Sequence, residues 1–216
     1  MTGRFTVAPQ AFTSIEFTDN FYIMSIKYGL GWAGLVVAAL VTGVLSVKPV
    51  IGLTMDRLAI QAGAWRTNVA TGSAEANPYE RAAVAVAGLY ALSREETLYY
   101  TAFTDSDGRA LDGRCEYRLA GRPLPSRWWS LTLYGADHYL VANPANVFSR
   151  HANNLEFDAD GSFIVPVSAQ PQARNWLPAP AQGAFSITAR LYNPDPAVFA
   201  DLVAVPLPTI ARGTCR

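Results

Sequence analysis

Phe185-Ser186-Ile187-Thr188-Ala189-Arg190-Leu191-Tyr192 alternates strictly: Phe185, Ile187, Ala189 and Leu191 fall on one side, and Ser186, Thr188, Arg190 and Tyr192 on the other. A period of two marks a strand with one face against a core. Trp128 to Tyr134 repeats the pattern, with Trp129, Leu131 and Leu133 opposed to Ser130 and Thr132. Leu98 to Thr104 is rich in aromatic and β-branched residues and is closed by Asp105-Ser106-Asp107-Gly108. Glu116 to Leu119 reads as a short strand, and Tyr139-Leu140-Val141 as a continuation of the sheet. Leu155-Glu156-Phe157 and Phe163 to Val167 flank Asp158-Ala159-Asp160-Gly161, a hairpin signal. Asp195-Pro196 starts a short helix, and Val203 to Ile210 reads as an extended tail. Short strands separated by Gly, Pro and Asp turns predict a mainly β domain, an antiparallel β-sandwich of jelly-roll type.

Upstream the signals change to helical ones. Asn77, Pro78 and Glu80 form a helix start: a cap, a proline at the first position and an acid at the third. Arg81 to Tyr90 is rich in alanine and valine and predicts a short buried helix. Residues 48–76 form a connector that begins near Pro49. Leu53, Leu58, Ile60 and Trp65 scatter over it as on a weakly amphipathic helical stalk, which Thr71-Gly72-Ser73 breaks.

Residues 28–47 carry no charged side chain and lie between Lys27 and Lys48. Twenty helical residues span roughly 30 Å, the thickness of a bilayer's hydrocarbon. Trp32 and Tyr28 supply interfacial rings, and Gly31, Gly34 and Ala38 leave one face small. The run ends at Ser46-Val47-Lys48-Pro49 without an A-x-A cleavage site, which argues for a single uncleaved transmembrane helix over a signal peptide. The chain therefore divides into an arm (1–27), a span (28–47), a connector (48–76) and a β-sandwich domain (77–216). The arm is too apolar for a free tail. Phe12, Ile15, Phe17, Phe21, Tyr22 and Ile26, with Trp32 in the span, are expected to meet lipid or a partner protein.

Lysine and arginine number 17, aspartate and glutamate 17, and no basic run occurs, which argues against nucleic acid as a partner. Lys48, Arg57 and Arg66 flank the span on its C-terminal side, which by charge alone favours a cytoplasmic domain. Two considerations oppose this. Large domains translocate largely regardless of flanking charge. The only cysteines, Cys115 and Cys215, suit a disulfide in an oxidising compartment, two free thiols being the alternative. The reading taken is a bacterial inner-membrane, single-pass protein with its C-terminal domain in the periplasm.

Chemistry is sparse. The histidines are His138 and His151, and no H-E-x-x-H, G-x-S-x-G, Walker loop or C-x-x-C occurs. No catalytic residue, cofactor or metal site is expected. Asp105, Asp107 and Asp112 lack the partners of a calcium loop and read as turn residues. One constellation could hold a sugar or another amphipathic ligand: an aromatic groove of Tyr117, Trp128, Asn175, Trp176, Arg190 and Tyr192. The competing reading is that these residues pack the core.

Several stretches together resemble the bacterial domain-of-unknown-function 1214 family. They are Tyr99-Tyr100-Thr101, Thr104-Asp105-Ser106-Asp107-Gly108, Leu111-Asp112-Gly113, Tyr117-Arg118-Leu119, Pro125 to Tyr134, Asn175 to Pro178 and Phe185 to Pro194. The resemblance runs from Asn77 to Cys215. It implies a jelly-roll-like sandwich, an envelope location and, for short members, one N-terminal membrane helix; it implies no established activity. This chain has Asn146-Val147 where the family tends to carry Asn-Arg, so any role of that arginine does not carry over unless Arg150 replaces it. Two functions follow as expectations. The first is an accessory subunit docked through arm and span on an integral-membrane assembly (respiratory, photosynthetic or transport). The second is an envelope domain binding glycan or lipid, or an enzyme acting on them, through the aromatic groove.

Overall fold

The computed structural model describes residues 16–68, 72–73, 76–86 and 92–216. The chain divides into two units, with the boundary between Pro49 and Val50.

The strand-forming unit has two sheets. The first has six strands in the order β1-β2-β3-β9-β5-β6, all antiparallel. Its strands are β1 (Ile60–Ala62), β2 (Trp65–Thr67), β3 (Thr97–Ala102), β5 (Ser126–Gly135), β6 (Ser149–His151) and β9 (Phe185–Pro194). The second has four strands in the order β10-β4-β7-β8. These are β4 (Cys115–Gly121), β7 (Phe163–Ser168), β8 (Leu177–Pro178) and β10 (Thr209–Cys215). Its pairs are antiparallel except β7 with β8, which is parallel.

The apolar set read in β5 and β9 packs as expected, but the opposing set is not left to water: Ser130, Thr132, Ser186 and Thr188 are buried as well. Trp129, Leu131, Leu133, Ile187, Ala189 and Leu191 are buried, and Phe163, Val165, Val167, Leu119 and Ile210 of the other sheet join them in one core. Trp129 stacks on Phe163 with ring centroids 5.2 Å apart. Each such side chain stabilises the fold by about 1.5–3 kcal/mol relative to exposure.

Polar atoms at the margins tie the sheets to their loops. Trp65 donates its indole N–H to the Pro208 carbonyl at 2.8 Å, and the Tyr100 hydroxyl donates to Leu202 O at 3.0 Å. Burial, with the Asp201 charge nearby, pushes the Tyr100 phenol up to about 12. Arg150 donates from Nε and Nη2 to the Trp176 carbonyl at 2.8 and 2.6 Å, joining edge strand β6 to the start of β8. Cys115 and Cys215 face each other across β4 and β10 and form a disulfide that spans 100 positions.

The connector departs from the expected stalk. Helix ends at Leu58, and Ile60–Thr67 forms a hairpin that enters the large sheet through β2 and β3. Gly63 turns it at φ 62°, and Trp65 is buried. Tertiary burial of one tryptophan overrides a weak helical pattern. Helix α2 (Pro78–Val86) starts as expected: Asn77 Oδ1 accepts from Tyr79 N and Glu80 N, and Glu80 Oε2 accepts from Asn77 N at 2.8 Å. It is not a buried helix, since Pro78, Tyr79, Arg81 and Ala85 are exposed; residues 87–90 lie outside the described ones. Tyr139–Val141 gives only an isolated bridge, Tyr134 to Leu140, and Leu155–Phe157 is not a strand. The turn between Asp158 and Gly161 does form, closed by Asp158 N donating to Ser162 O at 2.8 Å with Gly161 at φ 78°.

Helix α1 (Glu16–Leu58) begins in the other unit, contains Pro49 and continues past the boundary to Leu58. Its described side chains run unbroken from Gly31 to Val47, and Trp32, Leu35, Val36, Val37, Leu40 and Val44 are exposed. Among the described residues no helix is long and apolar enough to cross a membrane. Phe12 and Ile15 lie outside the described residues, as do the side chains of Phe17, Phe21, Tyr22 and Ile26.

Reducing the Cys115–Cys215 bond frees a loop of about 100 residues, which the chain-entropy model values at about 4.7 kcal/mol. Urea melts of the oxidised chain, the reduced chain and Cys215→Ser should show the same loss of about 2–5 kcal/mol in the last two. An unshifted midpoint on reduction would contradict a stabilising bond.

Candidate functional site

Strand parity sends one set of side chains to the face of the six-stranded sheet away from the core, where the small ones, Ser130, Thr132, Ser186 and Thr188, are nonetheless buried. On β5 these are Trp128, Ser130, Thr132 and Tyr134; on β9 they are Ser186, Thr188, Arg190 and Tyr192. Register places Tyr99 of β3 beside Arg190, Ser130 on its other side, and His151 of β6 beside Ser130. The Arg190 guanidinium lies 5.8 Å from the Tyr99 ring centroid and 5.3 Å from that of Tyr134. Its Nη2 donates to the Tyr134 hydroxyl at 2.5 Å. Stacking of a guanidinium on two rings is worth about 0.5–1 kcal/mol per contact and fixes the fork's plane.

Two strand steps away, Trp128 packs against Tyr192 at 5.1 Å and against His151 at 5.2 Å between centroids. Its indole N–H donates to Asn153 Oδ1 at 2.6 Å. Thr101 and Thr188 share a hydroxyl hydrogen bond of 3.0 Å beside Arg190's row. Arg190, Tyr99, Tyr134, Trp128 and Tyr192 are each half-buried.

The structure brings together three of the six residues expected to form a groove: Trp128, Arg190 and Tyr192. The others have different work. Tyr117 is buried in the core, edge-on to Phe185, with its hydroxyl accepting from Asp112 N at 2.8 Å. Asn175 sits at φ 53° and is buried; it accepts from Glu156 N and donates to the Glu156 and Ile164 carbonyls. Trp176 donates its indole N–H to Ser168 O at 2.9 Å, while its own carbonyl holds Arg150. Burial depresses the Arg150 pKa, partly offset by the Glu156 charge. Tyr134, aromatic surface in the same sequence pattern, joins Trp128, Arg190 and Tyr192, and Tyr99 is the addition that the residues alone do not reveal. Its parity is legible, but not which strand lies next to which.

The aspartates read as turn residues are held by arginines. Asp105 is fully buried and accepts from Asp107 N, Arg109 N, Arg109 Nε and, at 2.6 Å, Arg212 Nε. Arg212 also lies 5.2 Å from the Tyr117 ring and donates to Cys115 Sγ and to the Ala110 carbonyl. Burial alone would raise the Asp105 pKa; the Arg212 bond, the Arg109 backbone N–H and both guanidinium charges outweigh it and hold the carboxyl below its ordinary range. Arg114 bonds Asp112 through side chain and backbone and lowers that carboxyl to about 2. Gly113 lies so close to the 180–183 segment that a Cβ would stand 2.3 Å from the Pro180 carbonyl oxygen.

Comparison with known proteins places these motifs. Residues 96–196 match the family described as "Protein of unknown function (DUF1214)". The VPA0106 protein from Vibrio parahaemolyticus has a similar structure, with a TM-score of 0.53 and 28% identity over 65% of this chain and 36% of that one. An uncharacterized protein from Burkholderia cenocepacia also matches, at 23% identity, a TM-score of 0.37 and 54% of this chain against 29% of that one. The chain thus spans about a third of the length of these two solved relatives. Curated proteins give no match.

Two outcomes follow. A carboxyl depressed in the fold contributes stability above its ordinary pKa of 3.8, and that stability is lost as pH falls through the folded value. Acid unfolding should therefore take up protons below pH 3.8, towards the Asp112 value of about 2. Asp105→Asn should flatten that slope and lower the urea midpoint at pH 7; an unchanged slope would mean Asp105 is not held. Gly113→Ala should cost about 1–3 kcal/mol in urea melts, because backbone must move to admit the methyl.

Proposed function

The chain carries a domain of the DUF1214 family, and we propose that it is a membrane-tethered accessory protein. Its β-sandwich stands in the periplasm beside an integral-membrane assembly. The observation that carries this reading is helix α1. Its aliphatic side chains from Leu35 to Val47 stand exposed, with Trp32 ahead of them. Exposed apolar area of that kind on every side of a helix needs lipid or protein to cover it. Gly31 to Val47 spans about 26 Å at 1.5 Å per residue. The charge-free run between Lys27 and Lys48 extends it to about one bilayer.

Further support comes from the sandwich. A disulfide suits an oxidising compartment. Carboxylates of the kind that serve acid–base chemistry are engaged instead by arginines at Asp105, Asp112, Asp158 and Asp160. In the span, the small residues Gly31, Gly34 and Ala38 give a partner helix room for close approach.

Two measurements test this. After lysis the protein should sediment with membranes, resist carbonate washing and come off with detergent, and deleting 28–47 should move it to the supernatant. In mild detergent it should migrate with a larger complex, and deleting residues 1–27 should release it. Recovery of the full chain in the aqueous fraction would overturn the tether, and a lone monomer that ignores the deletion would overturn the partner.

A further inference from the structure

We propose that the outer face of the six-stranded sheet is a binding site for a carboxylate-bearing sugar, with Arg190 receiving the carboxylate and Trp128 and Tyr192 the sugar ring. This site is independent of the tether.

Of the half-buried arginines among the described residues, Arg212 meets a carboxylate and Arg150 a backbone carbonyl, whereas Arg190 meets neither. Arg109, Arg114, Arg122, Arg174 and Arg212 each meet a carboxylate within 3.2 Å. Among the described residues Arg190 meets none, although it is half-buried and central in the sheet. Desolvating a cation without a counter-charge is unfavourable, and the two tyrosine rings offset that only in part. A guanidinium has five N–H donors. Among the described residues Arg190's hydrogen-bond partner is the Tyr134 hydroxyl, bonded to Nη2, and the geometry of a guanidinium fork suits a planar two-oxygen acceptor.

The surroundings choose between anions. Ser130 and Thr132 lie on the same face but are buried beneath the larger side chains, which leaves the rings and the guanidinium as the groups a ligand meets. Trp128 and Tyr192 lie two residues along β5 and β9 from Ser130 and Arg190, roughly 7 Å away. An aromatic pair at that distance suits the apolar face of a sugar ring whose carboxylate reaches Arg190. A bare phosphate would leave the rings unused. A neutral sugar would leave the cation unpaired.

The test uses the full chain in a zwitterionic detergent without a sugar headgroup, titrated calorimetrically with oligogalacturonate, a neutral malto-oligosaccharide and inorganic phosphate. Oligogalacturonate should bind, more weakly as salt rises. Arg190→Gln should weaken it by about tenfold or more, Trp128→Ala should also weaken it, and Arg190→Lys should fall between wild type and Arg190→Gln. Melting temperatures of the variants are read alongside; Arg190→Lys keeps the charge and decides the matter if Arg190→Gln unfolds. No binding of oligogalacturonate, equal binding of the neutral sugar or of phosphate, or affinity indifferent to Arg190→Lys would overturn the site.

Discussion

Strands β5 and β9 meet over nine register positions, from Ser126 opposite Pro194 to Gly135 opposite Phe185. Leu131 and Ala189, and likewise Leu133 and Ile187, lie side by side on the core face and are buried. A slip of one residue in either strand would turn that strand's apolar set out of the core and its polar set into it. The register is therefore held by the core, and everything on the outer face inherits it. Arg190 sits between Ser130 and Tyr99 because Leu191 and Ala189 are committed below it. The ring cluster needs no device of its own beyond the sheet's parity.

The same parity explains what could be read from residues alone. Trp128 to Tyr134 and Phe185 to Tyr192 are long enough for alternation to declare itself, and both are strands. The Asn77 cap is local chemistry and needs no knowledge of the fold. Strands β1 and β2 have three residues each, too few for a period, and Trp65 is drawn into the sheet by partners distant in sequence. The groove fared worse for the same reason. Tyr117 and Trp128 are both aromatic and both on strands, yet one faces the core and the other the outer surface. Asn175 looked like a ligand group beside a tryptophan, but a positive φ and three backbone hydrogen bonds make it a loop clasp. Composition carries no record of such pairings.

The stretches that carry the family resemblance are largely joints. Ser106 exchanges hydrogen bonds with Ile210, accepting at its hydroxyl and donating from its backbone. Asn193, at φ 46°, ends β9 by donating to Glu96 O ahead of β3. Asp105 gathers two arginines where the loop after β3 meets β10. Tyr99 is a joint as well, its hydroxyl accepting from Leu92 N at 3.1 Å in the segment ahead of β3, while Tyr134 and Arg190 in the same stretches bond each other.

The covalent link between Cys115 and Cys215 encloses β5 through β9, because its two ends sit on β4 and β10. A protease that cuts the backbone once anywhere inside that ring produces two termini but no free fragment. The pieces stay tied through sulfur as well as through both sheets. Damage to a loop such as 139–148 then leaves the domain in one piece until the bond itself is reduced.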